Sequence, residues 1–225
     1  MSASLAASVV FLRIHEFARR AASEQARLRA QLDAVVAVTT AEIEPVNRIV
    51  LEASDGVAIV VLRDPQGALG LAQRALTASA AGLPLSAGLN HGAVQLAGRK
   101  GGEGMTGDGI AVAANVAEFA SASRLLASRA FRDALADAAP GLEAALVPAG
   151  TFNDPGLRTH ELFDPDATAL RRRGRRYTFA CVALAVALVG AGLAWRISVE
   201  GQQPFVNAML DKYPYFRALV EKVNY

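Results

Sequence analysis

One cysteine and three histidines stand among 225 residues, and their scarcity closes off several chemistries. The single thiol, Cys181, excludes an intrachain disulfide and any zinc site built on cysteines. His91 has no second His or Cys within metal-ligand spacing, so it reads as a turn residue in "NHG". Excess charge is scarce as well. Lys and Arg number 23 against 21 Asp and Glu, a net +2 that sits largely in one short run, which leaves no basic footprint for nucleic acid elsewhere. The start of the chain, "MSASLAASVVFLRIHEF", has no basic region before its apolar stretch and is interrupted by Arg13 and His15, so it does not read as a signal peptide. The stretch "GRKGGEG" at 98–104 lacks the Gly-Lys-Ser/Thr ending of a phosphate-binding P-loop and the strand and helix around it, and reads as a flexible loop at a dimer edge.

What the chain does have is apolar residues, 52% of the total, enough for one domain of average size and something more. The addition is "TFACVALAVALVGAGLAW" at 178–195, without a charged side chain and, with its flanks, long enough to cross about 30 Å of hydrocarbon. A transmembrane helix is expected at 177–197, with Tyr177 and Trp195 at the interfaces. "RRRGRR" at 171–176 precedes it, which by the positive-inside rule puts the N-terminal part in the cytoplasm and the tail outside, and brings the cluster against anionic headgroups. Four parts follow: a domain at 1–165, a basic juxtamembrane linker at 166–176, the span at 177–197, and an extracytoplasmic tail at 198–225. In that tail Phe205, Met209, Leu210 and Tyr213 fall at helical spacing.

Within the domain, the β-branched run at 8–14 suits a buried strand and "HEFARRAASEQARLRAQLDAVVAV" a long helix. "EASDGVAIVVL" reads as a hairpin with arms at 49–53 and 57–62, turning on Asp55-Gly56, where Gly56 is expected to take the positive φ of a primed turn. Asp64-Pro65 opens a second helix, with Gly82 as its C-cap candidate. A second hairpin is expected from arms at 85–89 and 93–97 around "NHG". A glycine-rich loop, an Ala-rich helix at 110–120, a short strand at 124–128, a helix at 129–137 and two last strands in "EAALVPAG" and "THELFDP" complete the order. The class is α+β: a ferredoxin-like antiparallel sheet with helices over one face, plus one transmembrane helix and a short helical tail.

In this order the pieces resemble the class III nucleotidyl cyclase domain of adenylate and guanylate cyclases. "VVFLRIHEF" resembles that family's opening strand, "LEASDGVAIVVLRDPQGALGLAQRAL" its central hairpin and following helix, "LPLSAGLNHGAVQLA" its second hairpin, and "MTGDGIAVAANVAEFASASRLLAS" its Gly-Asp helix and short strand. The likeness covers about residues 7–164. It implies two aspartates that hold two magnesium ions against a nucleoside triphosphate while the 3′-hydroxyl expels pyrophosphate. Carried over residue by residue, the first metal aspartate falls at Arg13 and the second at Asp55, the only expected site residue retained. The base-reading Lys falls at Leu51 and its partner near Gly104, the ribose-orienting Asn at Ala111, and the transition-state Arg at Asn115. Glu16, the nearest alternative carboxylate, lies beyond the strand end.

A fixed cation in place of a metal ligand disables the site. The expectation is therefore a membrane-tethered pseudo-cyclase without a cofactor, acting through a homodimer or a heterodimer with another cyclase-like domain in cyclic nucleotide signalling. Asp55 is then a vestigial metal ligand, ion-paired with Arg13. The alternative is an active or heterodimer-dependent cyclase that uses magnesium. A nucleotide sensor without turnover would need base- and phosphate-reading groups that the sequence does not offer.

Overall fold

In a computed structural model of the chain, the described residues are 4–79, 82–99, 102–153, 158–166 and Lys212. The chain divides into two units, Met1–Leu170 and Arg171–Tyr225, and all the elements named here belong to the first. The span expected at 177–197 and, apart from Lys212, the tail lie outside the described residues. Among the described residues no helix is long and apolar enough to cross a membrane.

The fold is organised on β1 (Ser4–Ile14), whose run from Ala7 to Leu12 is buried on both faces because apolar side chains alternate to either side of the strand. β2 (Arg48–Ala53) and β3 (Gly56–Val61) form the expected hairpin, and β3 pairs antiparallel with β1, setting Arg13 opposite Gly56. The two residues outside the ladder are Ser54 and Asp55, since Ala53 pairs with Gly56. Gly56 is therefore a strand residue and does not take a positive φ. Its glycine is required for a different reason: a Cβ there would land on the Leu12 carbonyl.

β4 (Leu85–Arg99) corrects a larger expectation. No turn interrupts it at Asn90–Gly92; it runs unbroken beside β1 from Leu85, opposite Ile14, to Gln95, opposite Ser4. A turn at "NHG" would forfeit the pairing beyond Leu89, and the length of β1 decides the outcome. His91 is accordingly a mid-strand residue, opposite Ser8, whose hydroxyl lies 3.1 Å from His91 Nδ1. The glycine-rich stretch is likewise no open loop. It forms a hairpin between β4 and β5 (Gly102–Thr106), with Arg99 opposite Gly102.

β6 (Leu125–Ser128), β7 (Leu146–Asn153) and β8 (Thr159–Pro165) complete an eight-stranded sheet in the order β2-β3-β1-β4-β6-β8-β7, with β5 on the far half of β4. β4 and β6 are parallel, so the sheet is mixed rather than wholly antiparallel. Helices also cover both faces, not one. α1 (Ala22–Thr40) presents Leu28, Leu32 and Val36 at i, i+4 spacing. With α2 (Pro65–Ser79) and α4 (Arg129–Ala138) it packs over Val10, Leu12, Ile14, Ile59 and Leu89. α2 starts where expected, with the Asp64 carboxylate accepting from Gly67 N–H at 2.7 Å. Among the described residues α3 (Asp108–Phe119) is the helix on the other face, setting Ala113 and Ala117 against Ala7, Val9 and Phe11. It comes so close that a Cβ on Gly88 would strike the backbone of Ala113 and Ala117.

Candidate functional site

Strand alternation puts Arg13 on the α3 side of β1, in line with Val9 and Phe11. Register then sets it opposite Gly56, next to the turn that carries Asp55. The Arg13 Nε meets the Asp55 Oδ2 at 2.7 Å, and its Nη1 meets Glu118 Oε2 of α3 at 3.2 Å. The Arg13 and Asp55 side chains are 29% and 28% exposed, so water reaches this pair only in part. A guanidinium at this distance makes a charge-assisted hydrogen bond and neutralises the carboxylate where it stands.

The same turn is held a second time. Arg29 of α1 donates from Nη1 to the carbonyl of Gly56 and from Nη2 to those of Ala53 and Ser54, each at 2.9 Å. Its guanidinium lies over the Phe17 ring, 5.2 Å from the centroid. Ile14 N–H donates to the Asp55 carbonyl at 2.8 Å. Two cations from different elements thus fix the backbone and the carboxylate of one turn. Glu118 and Arg29 escape a motif-based reading. Glu118 is marked only by being the one acidic side chain of α3 after Asp108, and Arg29 only by being a cation on an otherwise ordinary helix.

The other carried-over positions separate. Leu51 is half-buried on β2 among Ile49, Ala53, Ile110 and Ala114 on the α3 face, an apolar setting for a position that would read a base. Ala111 is exposed and Asn115 half-buried, both on α3. Gly104 pairs with Ala97 near the far end of β4, whereas the ladder from Leu51 runs through Ala58 and Phe11 to Gly88. Gly88 and Ala97 stand nine positions apart on β4, roughly 30 Å of strand, so Leu51 and Gly104 do not meet. Glu16 takes a left-handed turn after β1 and pairs with Arg19 at 3.2 Å, away from Asp55.

A divalent ion fits this donor set poorly. Magnesium requires oxygen ligands in an open octahedron, whereas the two carboxylates here, Asp55 and Glu118, are both already engaged by the Arg13 guanidinium. No cluster of three or more His, Cys, Asp or Glu suited to a metal occurs among the described residues. A separate cleft of about 490 Å³ opens where β6 ends, between Asn90 and His91 on β4 and His160 on β8. Its cations are matched, Arg129 by Glu161 and Arg158 by Asp108, each at 2.9 Å. Burial of His91 in that region lowers its pKa from the ordinary 6.5.

No protein-family model matches the sequence, and comparison with curated proteins finds no match. Solved structures do match. The guanylyl cyclase Cya2 is 14% identical, with a TM-score of 0.55 over 73% of this chain and 93% of its own. The adenylyl cyclase CyaB from P. aeruginosa is 12% identical, with a TM-score of 0.54 over 73% and 95%. The non-canonical dimeric guanylyl cyclase domain of the RhoGC fusion protein from Blastocladiella emersonii is 13% identical, with a TM-score of 0.53 over 72% and 97%. The first unit therefore has the mixed α+β fold of adenylyl and guanylyl cyclase domains. The chain spans nearly the full length of each of these domains, and at this identity what it shares with them is the fold.

Proposed function

We propose that the chain is a membrane-tethered pseudo-cyclase: a cyclase-fold domain that works by pairing with another cyclase-like domain, its own copy or a different one, in cyclic nucleotide signalling. The observation that carries this reading is the Arg13–Asp55 ion pair at 2.7 Å. It sets a tethered cation on the one carboxylate that the resemblance retains. Catalysis by two metals stabilises charge on both the attacking and the leaving oxygen, and carboxylates already engaged by arginine, Asp55 and Glu118, supply neither metal site. The apolar surroundings of Leu51 support the same conclusion for the base. The domain is held at the membrane through 177–197, with 1–176 on the cytoplasmic side and the tail beyond, a reading that rests on the uncharged run and the arginines before it. Fold-level likeness to a dimeric guanylyl cyclase domain favours pairing as the mode of action.

The full chain, incubated with each nucleoside triphosphate and Mg²⁺ or Mn²⁺, is expected to form no cyclic nucleotide. Metal-dependent product lost in Asp55→Ala would overturn this reading and favour an active enzyme. Product that appears only when a second cyclase domain is added, and that Asp55→Ala again abolishes, would establish the heterodimer-dependent enzyme instead.

A further inference from the structure

The two edges of the sheet are built differently. β7 carries Pro148 and a bulge between Pro148 and Gly150, devices that keep other strands from adding to an edge. β2, at the opposite edge, has neither: Arg48–Ala53 pairs residue for residue with β3 and contains no proline. Its centre, Val50, is 44% exposed, and Val46 just before it is 77% exposed.

The direction of the free backbone groups follows from one bond. The Asn47 carbonyl accepts from Leu62 N–H and so points into the sheet. In an antiparallel ladder the sides alternate, so Ile49, Leu51 and Ala53 also turn their N–H and C=O toward β3, and Arg48, Val50 and Glu52 turn theirs outward. The same three residues share one side-chain face, with Val50 between opposite charges. Arg48 has a buried Nη1 without a hydrogen-bond partner. Glu52 is exposed and makes no ion pair among the described residues. The two stand four positions apart on an extended strand, roughly 13 Å, and so do not pair with each other.

From this pattern we infer that β2 is a seam for a second copy of this chain, added antiparallel about a two-fold axis at Val50. The axis brings Val50 opposite its own counterpart, Arg48 opposite the second copy's Glu52, and Glu52 opposite the second copy's Arg48. These are the three positions whose backbone groups face outward, so each closes a hydrogen-bonded pair. Arg48 loses no hydrogen bond by turning its guanidinium outward, because the buried nitrogen has none. On the reverse face Ile49 comes beside the second copy's Leu51. The patch is self-complementary, as a two-fold contact must be. The inference does not depend on whether the domain turns over nucleotide, so its test is separate from that of the proposed function.

Disulfide trapping in the full chain tests it. In a Cys181→Ser background, Val50→Cys places two thiols on residues about 5.5 Å apart at Cα, within disulfide reach, whereas Val46→Cys is more exposed but lies outside the strand. Mild oxidation is expected to trap the Val50→Cys dimer readily and the Val46→Cys chain hardly at all. Adding Glu52→Arg sets like charges opposite at two symmetric places and is expected to slow trapping about tenfold. Arg48→Glu together with Glu52→Arg restores the pairing and the rate. Equal trapping at positions 46 and 50, no trapping at either, or a double reversal that fails to restore the rate would overturn the inference.

Discussion

Breaking the Arg13–Asp55 pair has an asymmetric cost that follows from the third member of the cluster. Two unit charges about 4 Å apart attract by about 4 kcal/mol at an effective dielectric of about 20, but the loss of hydration cancels much of this. Fully exposed pairs net about 0.2–1 kcal/mol, and deletion of one partner of a buried pair costs about 3–5 kcal/mol. With side chains 29% and 28% exposed the pair lies between these limits, and a coupling of about 1–2 kcal/mol is expected. Asp55→Asn leaves Arg13 its contact with Glu118, whose side chain is 57% exposed, and is expected to cost about 1 kcal/mol. Arg13→Met leaves two carboxylates facing the same space without a cation and is expected to cost about 2 kcal/mol. Urea unfolding of the four chains of the double-mutant cycle, followed by circular dichroism, measures all three quantities. A coupling indistinguishable from zero, or an Asp55→Asn chain less stable than Arg13→Met, would mean that Arg13 does not hold the two carboxylates together.

Three further outcomes are expected elsewhere in the fold. Ser128 caps α4 by accepting from Phe131 N–H at 3.1 Å and also donates to Asn90 Oδ1 at 2.7 Å; Ser128→Ala is expected to cost about 2 kcal/mol in urea unfolding. Gly88→Ala forces a Cβ into the backbone of Ala113 and Ala117, so hydrogen exchange in α3 should rise well before that in β1 does. Burial lowers the His91 pKa below 6.5, so the unfolded chain binds more protons just below that pH. Stability is then full above about 6.5 and falls as the pH drops toward the folded pKa; His91→Gln should flatten that part of the pH profile.

The hairpin, the second helix and its Asp64 cap, the Ala-rich helix and the short strand after it were legible because each has a local cause: alternation, a capping side chain, a turn. The unbroken β4 was not. "NHG" carries the composition of a turn, and what overrides it is eleven residues of β1 waiting to be paired, a fact about a segment some eighty positions away. The same holds for Gly56. Asp-Gly did mark the hairpin, but the glycine serves the close approach of Leu12, which no window around residue 56 contains. In the candidate site, Arg13 and Asp55 could be matched in sequence because the strand and the turn are each recognisable. Glu118 and Arg29 join them only through the packing of α3 and α1, so nothing local distinguishes them from other surface charges.

Arg13 stands at the position to which the cyclase resemblance gives a metal ligand, with its guanidinium on the Asp55 carboxylate. Mn²⁺ titration followed by electron paramagnetic resonance, on the natural chain and on Arg13→Asp, addresses this directly. The natural chain is expected to show no site that Asp55→Asn removes, whereas Arg13→Asp, with carboxylates at 13, 55 and 118 facing one another, is expected to gain one that Asp55→Asn abolishes. Saturable Mn²⁺ binding by the natural chain, lost on Asp55→Asn, would show a metal site that Arg13 leaves open.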